Sequence, residues 1–144
     1  MGEVLPRNRV LVQKRRGEGC LEVSSFSKQW PCLFPQHGPG LKHRRRIELV
    51  GWQQGIVDAH TEEFLRGLIH SDGCRFMNPV RGARDRIYRY PRYTFTNASE
   101  DIRGLFCDAC DRLGIEWRRM NARNISVARR ESVARMDEFI GPKR

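Results

Sequence analysis

Phe64 to Gly73 read FLRGLIHSDG, and this stretch decides the fold of the 144-residue chain. Its apolar residues recur three and four positions apart, which predicts one apolar face of a helix. Gly73 predicts the end of that helix. Gly67 and Ser71 are four positions apart and share another face, where two small side chains permit close approach of a second helix.

Asp72 lies in the last turn of this predicted helix. A carboxylate is poorly placed there, because the helix dipole already puts about half a negative charge at that end. A bound divalent cation makes the same carboxylate favourable, because it is attracted both to the carboxylate and to the negative end of the helix dipole. Two such helices side by side would bring two carboxylates and several carbonyls together, which suits Mg²⁺. The alternative is an ordinary aspartate before a glycine cap.

The residues after the motif alternate between strand and helix patterns. Ser99 predicts the cap of a second helix and Gly114 its end. The predicted elements after Gly73 are a strand at 74–79, a basic loop at 81–86, a strand at 87–96, a helix to about 113, a hairpin of 115–120 and 124–129, and a helix at 131–139. The second half therefore predicts an α+β unit of order αββαββα with an antiparallel sheet.

A smaller pattern precedes this unit. Alternation over residues 9–27 around the turn signal at 16–19 predicts a β-hairpin, and 29–34 predicts a short helix. A faint internal repeat relates Leu21–Ser24 and the helix after it to Ile125–Ala128 and the last helix. We interpret residues 1–38 as a partial repeat, 39–58 as a linker with a lead-in helix, and 59–144 as a complete unit, with Thr61 as the predicted cap of its first helix.

The motif from Leu65 to Gly73 matches LAGLIDADG at six of nine positions. The phrases WPCLFPQHGPG, FLRGLIHSDGCR, DIRGLFCDACDRLGI and DEFIGPK also resemble the actinobacterial two-repeat type of this family. The chain thus resembles the LAGLIDADG homing endonucleases, here with an incomplete first repeat. The resemblance implies metal-dependent hydrolysis of duplex DNA, with Mg²⁺ or Mn²⁺ bound at Asp72 and Gly73. The alternative is a non-cleaving DNA-binding protein or transcriptional regulator with a degenerate LAGLIDADG domain.

The resemblance also implies a basic residue in the cleavage centre, near the end of the hairpin before the last helix of each repeat. Arg129 or Arg130 holds that place in the complete unit, and Lys28 holds it in the partial one. Such a charge stabilises the transition state or positions the attacking water. The alternative for all three is an exposed charged hairpin end. His70 replaces the usual aspartate of the motif, which we interpret as a packing or surface variation.

A single motif helix has no mate within the chain, so the Gly67 and Ser71 face predicts a possible homodimer. The strands supply the expected DNA surface, since a two-stranded ribbon fits the major groove. Alternation predicts one strand face carrying Tyr88, Tyr90, Arg92, Thr94 and Thr96. Further candidates from neighbouring strands or loops are Arg75, Arg86, Arg118 and Arg123.

The composition agrees with a polyanionic partner. The chain has 27 Lys and Arg against 17 Asp and Glu, a net charge of +10. No apolar run approaches the ~20 residues of a membrane-spanning helix. Five cysteines without a signal peptide favour a reducing, cytoplasmic setting. Cys107 and Cys110 form a CxxC pair inside a predicted helix, where core packing is favoured over a metal or redox site.

Overall fold

The computed structural model describes residues 7–14 and 21–142. The chain divides into two compact units, Met1–Pro39 and Gly40–Arg144. The predicted turn at 16–19 and Cys20 lie outside the described residues. Among the helices that are described, none combines the length and apolarity needed to cross a membrane.

The first unit contains the predicted hairpin and a short helix. Strands β1 (Val10–Lys14) and β2 (Leu21–Ser25) pair antiparallel, and α1 covers Trp30–Leu33. The Trp30 indole N–H donates to the Ser25 carbonyl at 3.1 Å, which ties the helix to the end of the hairpin. The predicted strands and helix are therefore present, although α1 spans only four residues.

The second unit begins with a 3₁₀ turn at Lys42–Arg44. The predicted α+β class with antiparallel strands is confirmed, and from the motif helix onward the elements follow in the order αββαββα. The lead-in helix α2 (Gly51–Ala59) comes first. The elements of that order are then α3 (Thr61–Asp72), β3 (Gly73–Arg81), β4 (Ile87–Thr96), α4 (Glu100–Arg112), β5 (Arg118–Arg119), β6 (Asn124–Val127) and α5 (Arg130–Ile140).

The start of α3 corrects one prediction. His60, not Thr61, occupies the cap position, and Thr61 is the first helical residue. The Thr61 hydroxyl donates to the Val57 carbonyl of α2 at 2.8 Å. The side chain therefore satisfies a carbonyl at the end of the preceding helix.

The four strands form one antiparallel sheet in the order β3-β4-β6-β5. Tyr93 and Phe95 of β4 and Ile125 and Val127 of β6 belong to the core beneath the helices. The Phe95 and Phe106 rings stack at 4.5 Å between centroids. The largest buried side chains include Tyr93, Phe95, Leu65, Phe106, Ile125 and Met136. The helices thus cover one face of the sheet, the covered face, and the alternating residues point to the other, which we call the open face.

Both ends of α4 lie where the sequence predicts them. The Ile102 N–H donates to the Ser99 hydroxyl at 3.4 Å, and Gly114 at φ +66° follows the helix. Cys107 and Cys110 are buried within α4. Burial raises the pKa of Cys107 to about 11 and raises that of Cys110 as well. Both thiols are therefore protonated packing residues at neutral pH.

Candidate nucleic-acid interface

The register of the sheet lines up a polar row across the open face. Thr94 of β4 lies opposite Cys74 of β3 on one side and opposite Ser126 of β6 on the other. Ser126 in turn lies opposite Arg118 of β5. Directly opposite residues point to the same face of a sheet. The row therefore brings together four side chains from four strands that are distant in sequence.

The β3–β4 hairpin adds aromatic groups to this face. The Tyr88 and Tyr90 rings stack with 6.4 Å between centroids, and about half of each side chain is exposed. Phe76 of β3 lies opposite Arg92 of β4 and is also exposed. The hairpin is thus a two-stranded ribbon with basic and aromatic side chains interleaved on one side.

A groove of about 720 Å³ lies on the same face, against β5 and the start of α5. Its walls include four arginines and one carboxylate: Arg92, Arg118, Arg119, Arg129 and Glu116. The four arginines and the one glutamate give the lining of the groove a net charge of +3. The groove therefore attracts anions.

The structure brings most of the predicted DNA-binding residues together. The open face carries Tyr88, Tyr90, Arg92, Thr94, Thr96 and Arg118. Arg86 follows the loop at the tip of the β3–β4 hairpin, and Arg123 lies in the turn between β5 and β6. These two arginines bracket the face at its opposite ends.

Arg75 lies on the covered face instead, because it is opposite the buried Tyr93 in the sheet. Its guanidinium donates two hydrogen bonds to Asp137 of α5, at 2.7 and 2.8 Å. The Tyr93 hydroxyl donates to the same carboxylate at 2.7 Å. Arg75 therefore joins the sheet to α5. It does not lie on the open face with the other predicted strand residues.

This cluster predicts an acid-sensitive contribution to stability. The hydrogen bond from Arg75 lowers the pKa of Asp137, and the Tyr93 hydroxyl adds to the effect. A lowered folded-state pKa stabilises the protein above the usual carboxyl value near 4, and this contribution is lost as pH falls through the lowered value. We expect Asp137→Asn to cost about 1 kcal/mol at pH 7, because both partners are more than a third exposed.

Urea unfolding at pH 7 and pH 3 measures this effect. The difference between wild type and Asp137→Asn should shrink at the lower pH, which lies below the ordinary carboxyl pKa of the unfolded chain, so that part of the contribution is lost. Asp108→Asn, at an exposed position of α4, is the matched control and should change stability little at either pH. An Asp137→Asn cost of equal size at both pH values would contradict the electrostatic account.

Asp72 is exposed at the end of α3. Its carboxylate accepts a hydrogen bond from Asn97, which the sequence did not indicate as a site residue. The Asn97 side-chain amide donates to Asp72 Oδ2 at 2.9 Å. Asn97 is itself buried, and its side-chain oxygen accepts from the Ser99 N–H at 2.8 Å. Its carbonyl accepts from Arg103, and its own N–H donates to the Arg123 carbonyl at 3.0 Å. Asn97 therefore fixes one carboxylate oxygen of Asp72 beside the β5–β6 turn.

The residues at this helix end fit half of a magnesium site. Mg²⁺ in proteins is commonly held by one or two carboxylates together with water and substrate oxygens. Within 7–14 and 21–142, no three His, Cys, Asp or Glu side chains gather as a metal cluster. Gly73 is buried and begins the pairing of β3 with Phe95. One chain thus offers the Asp72 carboxylate without two further His, Cys, Asp or Glu side chains around it among the described residues.

The structure does not bring Arg129 and Arg130 to Asp72. Arg123 precedes β6 at the Asp72 end, whereas Arg129 follows β6, roughly 20 Å further along an extended chain. Arg129 forms an ion pair with Glu116, and Arg130 is the first residue of α5. Arg123 therefore lies at the Asp72 end of β6, where its carbonyl accepts from the Asn97 N–H.

Lys28 belongs to the first unit, where it is exposed in the turn between β2 and α1.

The predicted helix interface on α3 is accessible. Gly67 and Ser71 are exposed, and no atom lies within 4 Å of a Cβ built on Gly67. The Ser71 hydroxyl donates to the Leu68 carbonyl of its own helix at 2.9 Å. His70 Nε2 lies 2.9 Å from the Ile140 carbonyl of α5, so His70 contacts α5 through its ring.

The sequence matches no protein-family model, and no curated protein is significantly similar to it.

Proposed function

We propose that this chain binds duplex DNA through the open face of its sheet, and that two chains paired through α3 hydrolyse a phosphodiester with Mg²⁺ or Mn²⁺ at Asp72. The observation that carries the proposal is the alignment of polar, aromatic and arginine side chains on the one sheet face that the helices leave free. DNA binding is the better supported part. Cleavage depends on the second chain.

The charge and shape of the open face support duplex DNA as the partner. The β3–β4 ribbon has the width of an element that enters the major groove. Its threonines and tyrosines offer hydroxyl and methyl groups to base edges, and arginines lie along the groove beside them. Most of these arginines would contact phosphates, which fixes the register of the protein on the duplex without reading sequence.

The Asp72 end of α3 supports the cleavage part of the proposal. The carboxylate lies against the local helix dipole, is exposed, and is oriented by the buried Asn97. Such an arrangement is unfavourable without a cation and favourable with one. The metal would supply Lewis-acid activation, while Asn97 holds the ligand oxygen in place.

The second candidate function is DNA binding without cleavage. It is favoured by one observation, namely that no three His, Cys, Asp or Glu side chains gather to hold a metal within the described residues. The two candidates share the open face and differ in whether Asp72 contributes to chemistry.

Salt dependence of binding tests the shared part. If six phosphates are neutralised, log K for a duplex should fall against log salt with a slope of about −5. Fluorescence anisotropy with a labelled duplex measures the slope. A duplex RNA of the same sequence is the control, and it should bind more weakly because its deep, narrow major groove excludes a ribbon. A slope near zero, or equal affinity for both duplexes, would remove the basis of the proposal.

A further inference from the structure

We propose that the groove between Arg92, Arg118, Ser126 and the start of α5 is a pocket for a single phosphate group. This inference extends the proposed function. It rests on that function only for the source of the phosphate, which is the DNA backbone. The pocket itself follows from buried polar atoms, charge and a helix end that meet in one place.

Two buried donors without partners line the groove. Ser126 is 6% exposed, and its hydroxyl has no hydrogen-bond partner among the described residues. In the same part of the structure, Arg92 Nε is buried and likewise without a partner. Buried polar groups are almost always satisfied in folded proteins, so each exception calls for a water, an ion or a ligand. The two exceptions lie on neighbouring strands and line one groove.

The charges around these donors favour an oxyanion over a cation or an apolar ligand. Arg119 is paired with Glu100, and Arg129 is paired with Glu116. Within the described residues Arg92 and Arg118 form no ion pair, so both guanidinium groups remain available. Planar guanidinium groups match the spacing of phosphate oxygens and bind them with two parallel hydrogen bonds.

The start of α5 adds a third contribution. This helix spans 11 residues, and its cap residue Arg129 supplies no side-chain acceptor to the first turn. Ala128 and Arg129 line the groove, so the helix N-terminus lies at its edge. Unsatisfied backbone N–H groups and the positive end of the dipole make such an end suitable for phosphate. Glu131 in the first turn opposes this effect in part.

The size of the groove indicates a phosphate within a longer chain. About 720 Å³ exceeds what a single oxyanion fills, which leaves room for the sugars on either side of a phosphodiester. The pocket also lies on the same face as the β3–β4 ribbon. We therefore expect it to grip one backbone phosphate of a duplex that the ribbon contacts.

Phosphate binding to the wild type, Ser126→Ala and Arg92→Gln tests the pocket directly. Ser126→Ala removes a hydroxyl that has no hydrogen-bond partner in the described part of the chain, so the fold should be retained. Inorganic phosphate is titrated against chloride at equal ionic strength, with isothermal calorimetry and thermal unfolding as readouts. We expect Ser126→Ala to weaken phosphate binding about tenfold, the effect of one lost hydrogen bond to a charged group. Arg92→Gln should weaken it further, and Ser24→Ala on β2 of the first unit should leave it unchanged.

A DNA arm distinguishes the source of the phosphate. If the backbone is the source, Ser126→Ala also weakens duplex binding, and phosphate competes with DNA beyond its effect on ionic strength. If a free phosphate is the source, Ser126→Ala weakens phosphate binding alone. Phosphate binding without any DNA binding keeps the pocket and removes the proposed function. Equal effects of phosphate and chloride on the wild type, or unchanged phosphate binding by Ser126→Ala, would overturn the pocket.

Discussion

Asp72→Asn is expected to abolish metal-dependent nicking of plasmid DNA while affinity for duplex DNA stays the same. Asparagine keeps the size of the side chain, and its oxygen can still accept the hydrogen bond from the Asn97 amide. The charge that binds the metal is lost. Asp72 is also remote in the fold from the groove arginines, so the DNA surface remains intact.

The same substitution should leave the free energy of unfolding unchanged or raise it slightly in the absence of metal. A negative charge at the C-terminal end of a helix costs about 0.3–1 kcal/mol, and the substitution removes it. A residue that is unfavourable for stability and needed for cleavage is one retained for function.

Plasmid nicking over a library of candidate sites, with Mg²⁺ or Mn²⁺, measures the effect. Asp108→Asn, an exposed aspartate on α4, is the matched control and should cut as the wild type does. Equal cutting by wild type and Asp72→Asn would disprove the role assigned to Asp72. If neither protein cuts, the non-cleaving DNA-binding candidate replaces the endonuclease.

Gly67→Leu is expected to weaken pairing of two chains at least tenfold without harming the single chain. No atom lies within 4 Å of a Cβ at Gly67, so leucine meets open space within the monomer. Leucine also raises helix propensity by up to about 1 kcal/mol relative to glycine. At a close helix–helix contact the same side chain would force the two backbones apart.

Sedimentation velocity with and without a DNA duplex measures this pairing. Gly55→Leu is the matched control, because Gly55 is also an exposed helical glycine with nothing within 4 Å of its Cβ. The control should gain stability and pair like the wild type. A wild-type chain that is monomeric when bound to DNA would contradict the paired-chain account.

The elements of the fold were predictable where the signal is local. Apolar spacing in α3, the Ser99 cap and the glycine at 73 each act within a few residues, and each lies where it was predicted. Gly73 also shows why glycine is required at that point. A Cβ there would lie 2.9 Å from the Ile69 Cα, since the chain turns back against its own helix.

The parts of the site that depend on strand register were not predictable. Alternation assigns Tyr88 to Thr96 to one face of β4, but it does not say which residues of β3 lie opposite. The register of the sheet puts Arg75 opposite Tyr93, on the covered face, and this could not be read from the sequence of β3. The contact between Asp72 and Asn97 spans 25 positions, and Asn97 alone indicates only a turn before a helix cap.

The same limit explains Ser126 and Arg129. Nothing near Ser126 in the sequence indicates that its hydroxyl is buried without a partner among the described residues, because its burial depends on the two strands that neighbour β6. The family resemblance placed Arg129 in the cleavage centre, whereas the structure puts it at the far end of β6 from Asp72. Arg123, for which the sequence predicts only a DNA contact, lies at the Asp72 end of β6.

The claim that the open face binds DNA is tested most directly by removing charge from that face alone. The double variant Arg92→Gln, Arg118→Gln is compared with Arg66→Gln, Arg112→Gln, which loses the same charge from the helices α3 and α4. Duplex binding is titrated by anisotropy over a range of salt. We predict that the open-face variant lowers the steepness of the slope from about −5 to about −3, because each lost phosphate contact removes about one. The helix variant should keep the wild-type slope, and equal slopes for the two variants would contradict the account.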